Sequence, residues 1–474
     1  MNEKHIVEDL LAQLDDSLEI HDGSAKVKDQ AKLRETIQIL AEVSALESGP
    51  RQGMARYLTR LAALALGIYP ASIHELYMAR GEGEIPPTFT VPAINLRSLP
   101  FDAARAVFRV ANSLQAGAFI FEIARSEMGY TNQRPSEYAT SILAAAIAEG
   151  YKGPVFIQGD HFQVSSKRFA SDPDAELQAV RDLTSEAIKA GFFNIDVDTS
   201  TLVDLSQKTI SEQQALNCQL SAMYTALIRS LEPDQVTISV GGEIGEVGGH
   251  NSTEQELRAY MEGYGKALLQ ENPDAIGLSK ISVQTGTSHG GVVLPDGSIK
   301  KVSVDFNTLL GLSRIARKDF GLAGAVQHGA STLPESAFHK FVESEACEVH
   351  LATNFQNMLF DRLSDDLCQE MYAYLDQKHA DERKPDMTDD QFYYKSRKRS
   401  LGPFKVQLWR MDKSKKEEIA QAWEDQFRLL FELLAIQDTR QYVEQTIKPV
   451  DIKPELKDYL ADSAIEKEVR DLAD

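Results

Sequence analysis

The sequence predicts an α/β fold: a closed (β/α)8 TIM barrel with helical N- and C-terminal extensions. Three observations predict it. Eight short runs rich in β-branched or aromatic residues recur between residues 88 and 352, and helix-like stretches separate them. That alternation calls for a parallel sheet. The number and span of the runs favour closure into a barrel, and no glycine-rich dinucleotide fingerprint follows the first run, which weakens an open doubly wound sheet.

The first 85 residues read as helical and without strand runs. Lys32–Glu47 has spaced apolar positions, Met54–Gly67 is rich in Ala and Leu, and GEGEIPP at Gly81–Pro87 punctuates the end of this part. The predicted strands then run Thr88–Asn95, Ala118–Ala124, Pro154–Gly159, Phe193–Val197, Val236–Val240, Ala275–Val283, Leu322–Gln327 and Glu348–Ala352. Between them the spacing predicts helices over Leu99–Gln115, Ser136–Gly150, Pro173–Gly191, Ser206–Leu231, Thr253–Gln270, Asn307–Lys318 and Leu333–Glu343. Stretches such as EGYKG and KAGFF carry the stop residues a helix end needs. The expected division is a helical extension over 1–85, a catalytic barrel over 86–375, and a charged helical tail over 376–474 that includes an amphipathic segment, Lys415–Gln437. The tail is expected to pack on the barrel or to mediate assembly, which makes a homo-oligomer the expected state.

Composition narrows the function classes. The chain has 474 residues, 43% hydrophobic and 26% charged, with no apolar run long enough for a membrane span. The opening MNEKHIVEDLLAQLDD is acidic and interrupted, unlike a secretory signal. Cys218, Cys347 and Cys368 lie far apart with no CxxC pair, so neither a disulfide framework nor a Cys-based zinc site is expected. These features make the cytoplasm the expected location. A net charge of −21 argues against nucleic-acid and anionic-membrane partners. A small anionic substrate stays admissible, because a nest of backbone N–H groups can hold a phosphate on an acidic protein.

Barrel chemistry is carried at the C-terminal ends of the strands. The third strand ends in Asp160–His161, the fourth in IDVDTS with Asp198, and the fifth in GGEIGEVGG with Glu243. The sixth runs into QTGTSHGG with His289 and Gly290, and the seventh into QHGAST with His328, Gly329 and Ser331. The eighth carries His350 and Thr353. Of ten histidines, four stand at predicted strand ends and a fifth, His250, follows the fifth strand. Three neutral imidazoles converging on a barrel mouth suit a zinc-type site with an open coordination position. Glycines beside them would let backbone N–H groups approach an anion.

The ordered set VPAIN, QGDH, AGFFNIDVDTS, GGEIGEVGG, GTSHGG, VDFNTL and QHGAST resembles the class II, metal-dependent ketose-bisphosphate aldolases, the family of fructose- and tagatose-bisphosphate aldolases. The likeness runs from Thr90 to Asn354. It implies a lyase of carbohydrate metabolism such as glycolysis, with zinc or another divalent metal and a small phosphorylated sugar as substrate. By the resemblance, His161, His289 and His328 match metal ligands, and Asp160 the catalytic carboxylate that exchanges a proton at the cleaved bond. Gly290, Gly329 and Ser331 match phosphate-binding positions. Asp198 and Glu243 match a second metal position or the layer behind the ligands.

The chain also departs from the family pattern. Gln158 stands where the family has the first histidine of its His-x-Asp-His motif, suggesting one metal rather than two. Ala330 replaces a glycine of the phosphate loop, and His350 a substrate-binding asparagine. The family's loop glutamate falls near His250–Asn251, leaving His250 or His350 as replacement base or donor. Three accounts stay open: an aldolase that yields dihydroxyacetone phosphate and an aldehyde from a different ketose phosphate, a metal-dependent sugar phosphate epimerase, or a non-catalytic accessory protein. FEIARSEMGYTNQRPSEY and the QGDH form resemble the accessory subunits of tagatose-bisphosphate aldolases.

Overall fold

A computed structural model describes residues 3–245, 250–286, 294, 303–331 and 333–464. Eight parallel strands form the centre: β1 Val91–Asn95, β2 Ile120–Ala124, β3 Gly153–Gln163, β4 Asn194–Asp198, β5 Ser239–Glu243, β6 Lys280–Val283, β7 Ala325–Gln327 and β8 Glu348–Leu351. Each pairs with its sequence neighbours, and β8 pairs back onto β1, closing the (β/α)8 barrel. Every predicted strand has its counterpart.

Local chemistry explains the helices between strands. Asp172 accepts from the Ala175 N–H and starts Pro173–Ala190, which Gly191 ends in the left-handed region at φ 98°. Thr253 and Glu256 form a capping box that opens Glu254–Glu271. Asp305 caps Phe306–Phe320.

The N-terminal part is not purely helical. Leu18–His21 and Ser24–Val27 pair as an antiparallel hairpin, and Ile68–Ala71 forms a strand parallel to Gly153–Phe156 of β3. The hairpin turns on Asp22 and Gly23, both at positive φ, the two-residue turn that matches strand twist. Ile68–Ala71 is too short to read as a strand from its own pattern. It exists because the first half of β3 extends below the barrel and offers an unpaired edge.

Both extensions pack beneath and around the barrel. Helix His74–Glu82 lies under it, where the buried Arg80 donates to the carbonyls of Phe89, Ala323, Glu345 and Ala346. These oxygens lie just ahead of β1, β7 and β8, so one guanidinium satisfies acceptors from several strand entries. Thr439 receives the Gly117 and Ala118 N–H groups ahead of β2. The amphipathic tail helix Lys413–Leu433 buries Trp423 and Phe427 and packs against Pro100–Leu114, the first barrel helix. Among the described residues no helix is long and apolar enough to cross a membrane.

Candidate active site at the barrel mouth

Along a strand alternate side chains face opposite ways. Here the outward set is apolar and the inward set polar: Gln158 and Asp160 on β3, Asn194, Asp196 and Asp198 on β4, Lys280 and Ser282 on β6, Glu348 and His350 on β8. Polar interior side chains replace the hydrophobic layers that fill most small barrels.

Asp160 and His161 are consecutive, yet both serve the interior. Gly159 pairs with Ile195 but Phe162 pairs with Val197, so β3 carries one extra residue there. His161 sits at φ 40° within this bulge. A bulge re-aims a side chain that strand alternation would send outward. Gly159 makes room for it, since a Cβ there would stand 2.5 Å from Phe162 Cζ.

The two groups meet His328 and His350. Asp160 Oδ1 lies 3.7 Å from His161 Nε2, 4.0 Å from His328 Nδ1 and 3.2 Å from His350 Nδ1. The rings of His161 and His328 are 4.2 Å apart, and those of His328 and His350 3.9 Å. His161 Nδ1 faces Asp198 at 2.9 Å and Glu243 at 3.2 Å. Asp198 is itself held by the Ser200 hydroxyl and the Gln163 amide. His328 Nε2 meets the Ser282 hydroxyl at 3.0 Å. Each partner fixes one ring nitrogen, so His161 Nε2 and His328 Nδ1 are the atoms turned toward Asp160.

Below lies a second polar layer that the strand-end reading missed. Glu122 Oε2 is 2.9 Å from His350 Nδ1 and accepts from Gln158 at 3.1 Å. Lys280 Nζ reaches Asp196 at 2.9 Å, Glu348 at 2.5 Å and Gln158 at 2.7 Å. Gly241 leaves the space, because a Cβ there would meet Lys280 Cε at 2.9 Å and Asp196 Oδ1 closer still. A signal existed in the polar half of the alternation in NIDVD, KISV and EVHL, inside the strands rather than at their ends.

Electrostatics follow from the burial of this set. Burial pushes the Glu122 carboxyl up to about 8, helped by the charge of Asp160. Burial and then Asp198 push Glu243 up to about 7. For His161 burial opposes the charged form, but Asp160, Glu243 and Asp198 outweigh it and raise the imidazole well above its ordinary value. His350 rises likewise, against burial, under Glu122 and Asp160. Burial also opposes the Lys280 ammonium, yet Asp196 and Glu348 hold it charged.

This donor set fits a divalent cation. Glu122, Asp160, Asp196, Asp198, Glu243 and Glu348 are all buried in the interior, where the lysine that faces them is Lys280. Such an excess of buried carboxylate calls for protons or a cation. Asp160, His161 and His328 bring one ligand atom each within 4.8 Å of one another, as do His161, Asp198 and Glu243. The carboxylate behind His161 orients it as metal-ligating histidines require. The group Asp196, Glu348 and His350 also clusters, but the Lys280 ammonium already lies against both carboxylates.

The remaining expected residues fall as follows. Gly329 follows His328 at φ 71°, a conformation that favours glycine. Ser331 Oγ accepts from Ala352 N at 2.7 Å and Thr353 N at 3.3 Å, tying the loop after β7 to the start of helix Thr353–Phe360. His250 is exposed and 2.7 Å from Glu256. His289 and Gly290 lie outside the described residues.

The profile of class II fructose-bisphosphate aldolases matches residues 87–403. No curated protein sequence matches the chain. Among solved structures, the fructose-bisphosphate aldolase (Fba) of Campylobacter jejuni is 16% identical, covering 78% of this chain and 97% of its own, with a TM-score of 0.46. The YdjI aldolase of Escherichia coli K12 is 14% identical over 73% of this chain and 98% of its own, TM-score 0.42. A "probable tagatose 6 phosphate kinase" of Sinorhizobium meliloti 1021 is 14% identical over 80% and 99%, TM-score 0.49. With the family profile spanning all eight barrel strands, the chain belongs to the class II fructose-bisphosphate aldolase family.

Proposed function

We propose that this protein is a divalent-metal-dependent aldolase that reversibly cleaves a ketose phosphate to dihydroxyacetone phosphate and an aldehyde. The observation that carries this reading is the convergence of His161 Nε2 and His328 Nδ1 on Asp160, 3.7 and 4.0 Å from its Oδ1. His161, His289 and His328 are the proposed metal ligands, with zinc the first candidate. A metal bound there acts as a Lewis acid, polarising the substrate carbonyl and stabilising the negative charge that develops beside it.

The protein's own groups do the rest. Asp160 accepts the proton of the hydroxyl at the bond to be cleaved, that hydroxyl becomes the aldehyde, and the bonding pair stays with the ketone fragment. That fragment takes up a proton from His350 or His250, the proposed donors, to become dihydroxyacetone phosphate. In condensation Asp160 returns the proton. Asp198 and Glu243 hold His161 by Nδ1. His350, beside Asp160, contacts the substrate hydroxyls, while Gly290, Gly329, Ser331 and Thr353 receive the phosphate. A Schiff-base route through Lys280 has no support, because a nucleophilic amine must be neutral and Lys280 is held as an ammonium between Asp196 and Glu348.

The test is release of dihydroxyacetone phosphate from a panel of ketose phosphates, including fructose and tagatose 1,6-bisphosphates, before and after chelation. Metal-dependent release is expected. Epimerised sugar with no net cleavage would replace the aldolase with an epimerase at the same centre. Protein that neither binds nor responds to a divalent metal would leave the accessory role.

A further inference from the structure

Glu348 is fully buried on β8, and both of its carboxylate oxygens have partners. One oxygen accepts from Lys280 Nζ at 2.5 Å and Gln158 Nε2 at 3.0 Å, and meets His350 Nε2 at 2.7 Å. The other accepts from the hydroxyl of Tyr77. Partners on both oxygens hold the carboxylate in one orientation. With Nε2 tied to Glu348, the His350 ring presents Nδ1 to Glu122 and Asp160, at 2.9 and 3.2 Å.

Tyr77 does not come from the barrel. It lies on His74–Glu82, the helix of the N-terminal extension beneath the barrel. That helix is anchored at two points besides Tyr77. Arg80 donates to carbonyls ahead of three strands, and the Ile73 N–H donates to Asn194 Oδ1 at 2.9 Å on β4. A rigidly seated donor can therefore fix Glu348 from below.

We propose that Tyr77 is a positioning residue: by holding Glu348 it sets the orientation of His350 beside Asp160, which makes the N-terminal helix part of the catalytic apparatus. This rests on the aldolase reading for its kinetic consequence but not for its geometric one. A phenylalanine would fill the same space under the barrel, so the hydroxyl is the atom whose role is in question. The path runs through side chains in contact, Tyr77 to Glu348 to His350 to Asp160.

The experiment compares Tyr77→Phe, His350→Asn and the double variant in the full chain, with Tyr264→Phe as a matched control. Tyr264 is a buried tyrosine that donates to Thr225 at 3.1 Å, away from this network. Tyr77→Phe is expected to lower kcat roughly three- to thirtyfold with little change in KM, the range typical of contacting residues. In the His350→Asn background it should have no further effect, whereas a merely structural loss would add. A second readout needs no activity: ¹⁵N spectra of histidine-labelled, metal-free protein, with the His350 signals assigned by their loss in His350→Asn. Those signals should shift in Tyr77→Phe and stay in place in Tyr264→Phe. Unmoved His350 signals in Tyr77→Phe, equal shifts in both tyrosine variants, or additive kinetic losses would each overturn the proposal. If the wild type cleaved no ketose phosphate, the functional reading would fail while the spectra still decided the positioning claim.

Discussion

Gly159→Ala probes the bulge that brings Asp160 and His161 to the same site. The added Cβ would stand 2.5 Å from Phe162 Cζ and 2.9 Å from Cδ1, with the ring itself almost fully buried. Carbon atoms settle at about 3.5–4.0 Å, so either the ring or the strand must retreat by about 1 Å. Overpacking of this kind costs about 1–3 kcal/mol. The retreat occurs across the two residues that lie between Gly159 and Phe162, which are Asp160 and His161. A misplacement of about 1 Å at a reacting centre can cost on the order of 10²-fold in rate. Urea unfolding, metal content per chain and kcat on a cleaved ketose phosphate measure the three effects separately. Adding Phe162→Leu should relieve the contact and recover much of kcat without recovering stability. A Gly159→Ala protein with wild-type kcat and metal content would refute the claim that this bulge places the two groups.

Other perturbations test the neighbouring claims. Asp160→Asn should keep its metal and lose turnover by at least about 10²-fold, while His328→Ala should lose the metal itself; full activity in the first would remove Asp160 from proton transfer. Lys280→Met should destabilise by about 3–5 kcal/mol in urea, because it strips the cation from buried Asp196 and Glu348, and adding Asp196→Asn should recover part of the loss. In metal-free protein, Glu122 near 8 and Glu243 near 7 bind protons that the unfolded chain releases around 4.5. The native state then holds more protons than the unfolded one, so stability falls as pH rises from about 4.5 to 8. The raised imidazoles of His161 and His350 act in the same direction above about 6.5. Thermal melts with chelator should show that decline, and saturating metal should flatten or reverse it, since metal takes the place of those protons.

Much of this architecture was legible because the strands are bounded by their own turn chemistry. The run ending in FIQGDH and the segments NIDVD and EVHL announce strands from composition alone, and each of β1 to β8 overlaps its predicted run, β5 by only Ser239 and Val240. The strand-end histidines His161, His328 and His350 lie ring against ring. Less was legible where the cause lies elsewhere in the chain. Ile68–Ala71 becomes a strand through pairing with Gly153–Phe156, and no local pattern in four residues reports a partner so distant. The bulge at Asp160–His161 is a mismatch of one residue between β3 and β4, visible only once their register is known. Lys280, Glu348 and Glu122 sit inside strands, where attention to strand ends passes over them. The hairpin at Asp22–Gly23 carried its signal openly in HDGS and could have been read.

The central claim is metal-dependent aldol chemistry at the centre formed by Asp160, His161 and His328. It is tested most directly by chelating the purified protein, measuring its release of dihydroxyacetone phosphate from a ketose phosphate, and repeating the measurement as zinc is added back. The chelated protein is expected to release none and to recover fully at a fixed number of zinc ions per chain, with no recovery in His328→Ala. Release that continues unchanged after chelation, or that returns equally in His328→Ala, would contradict it.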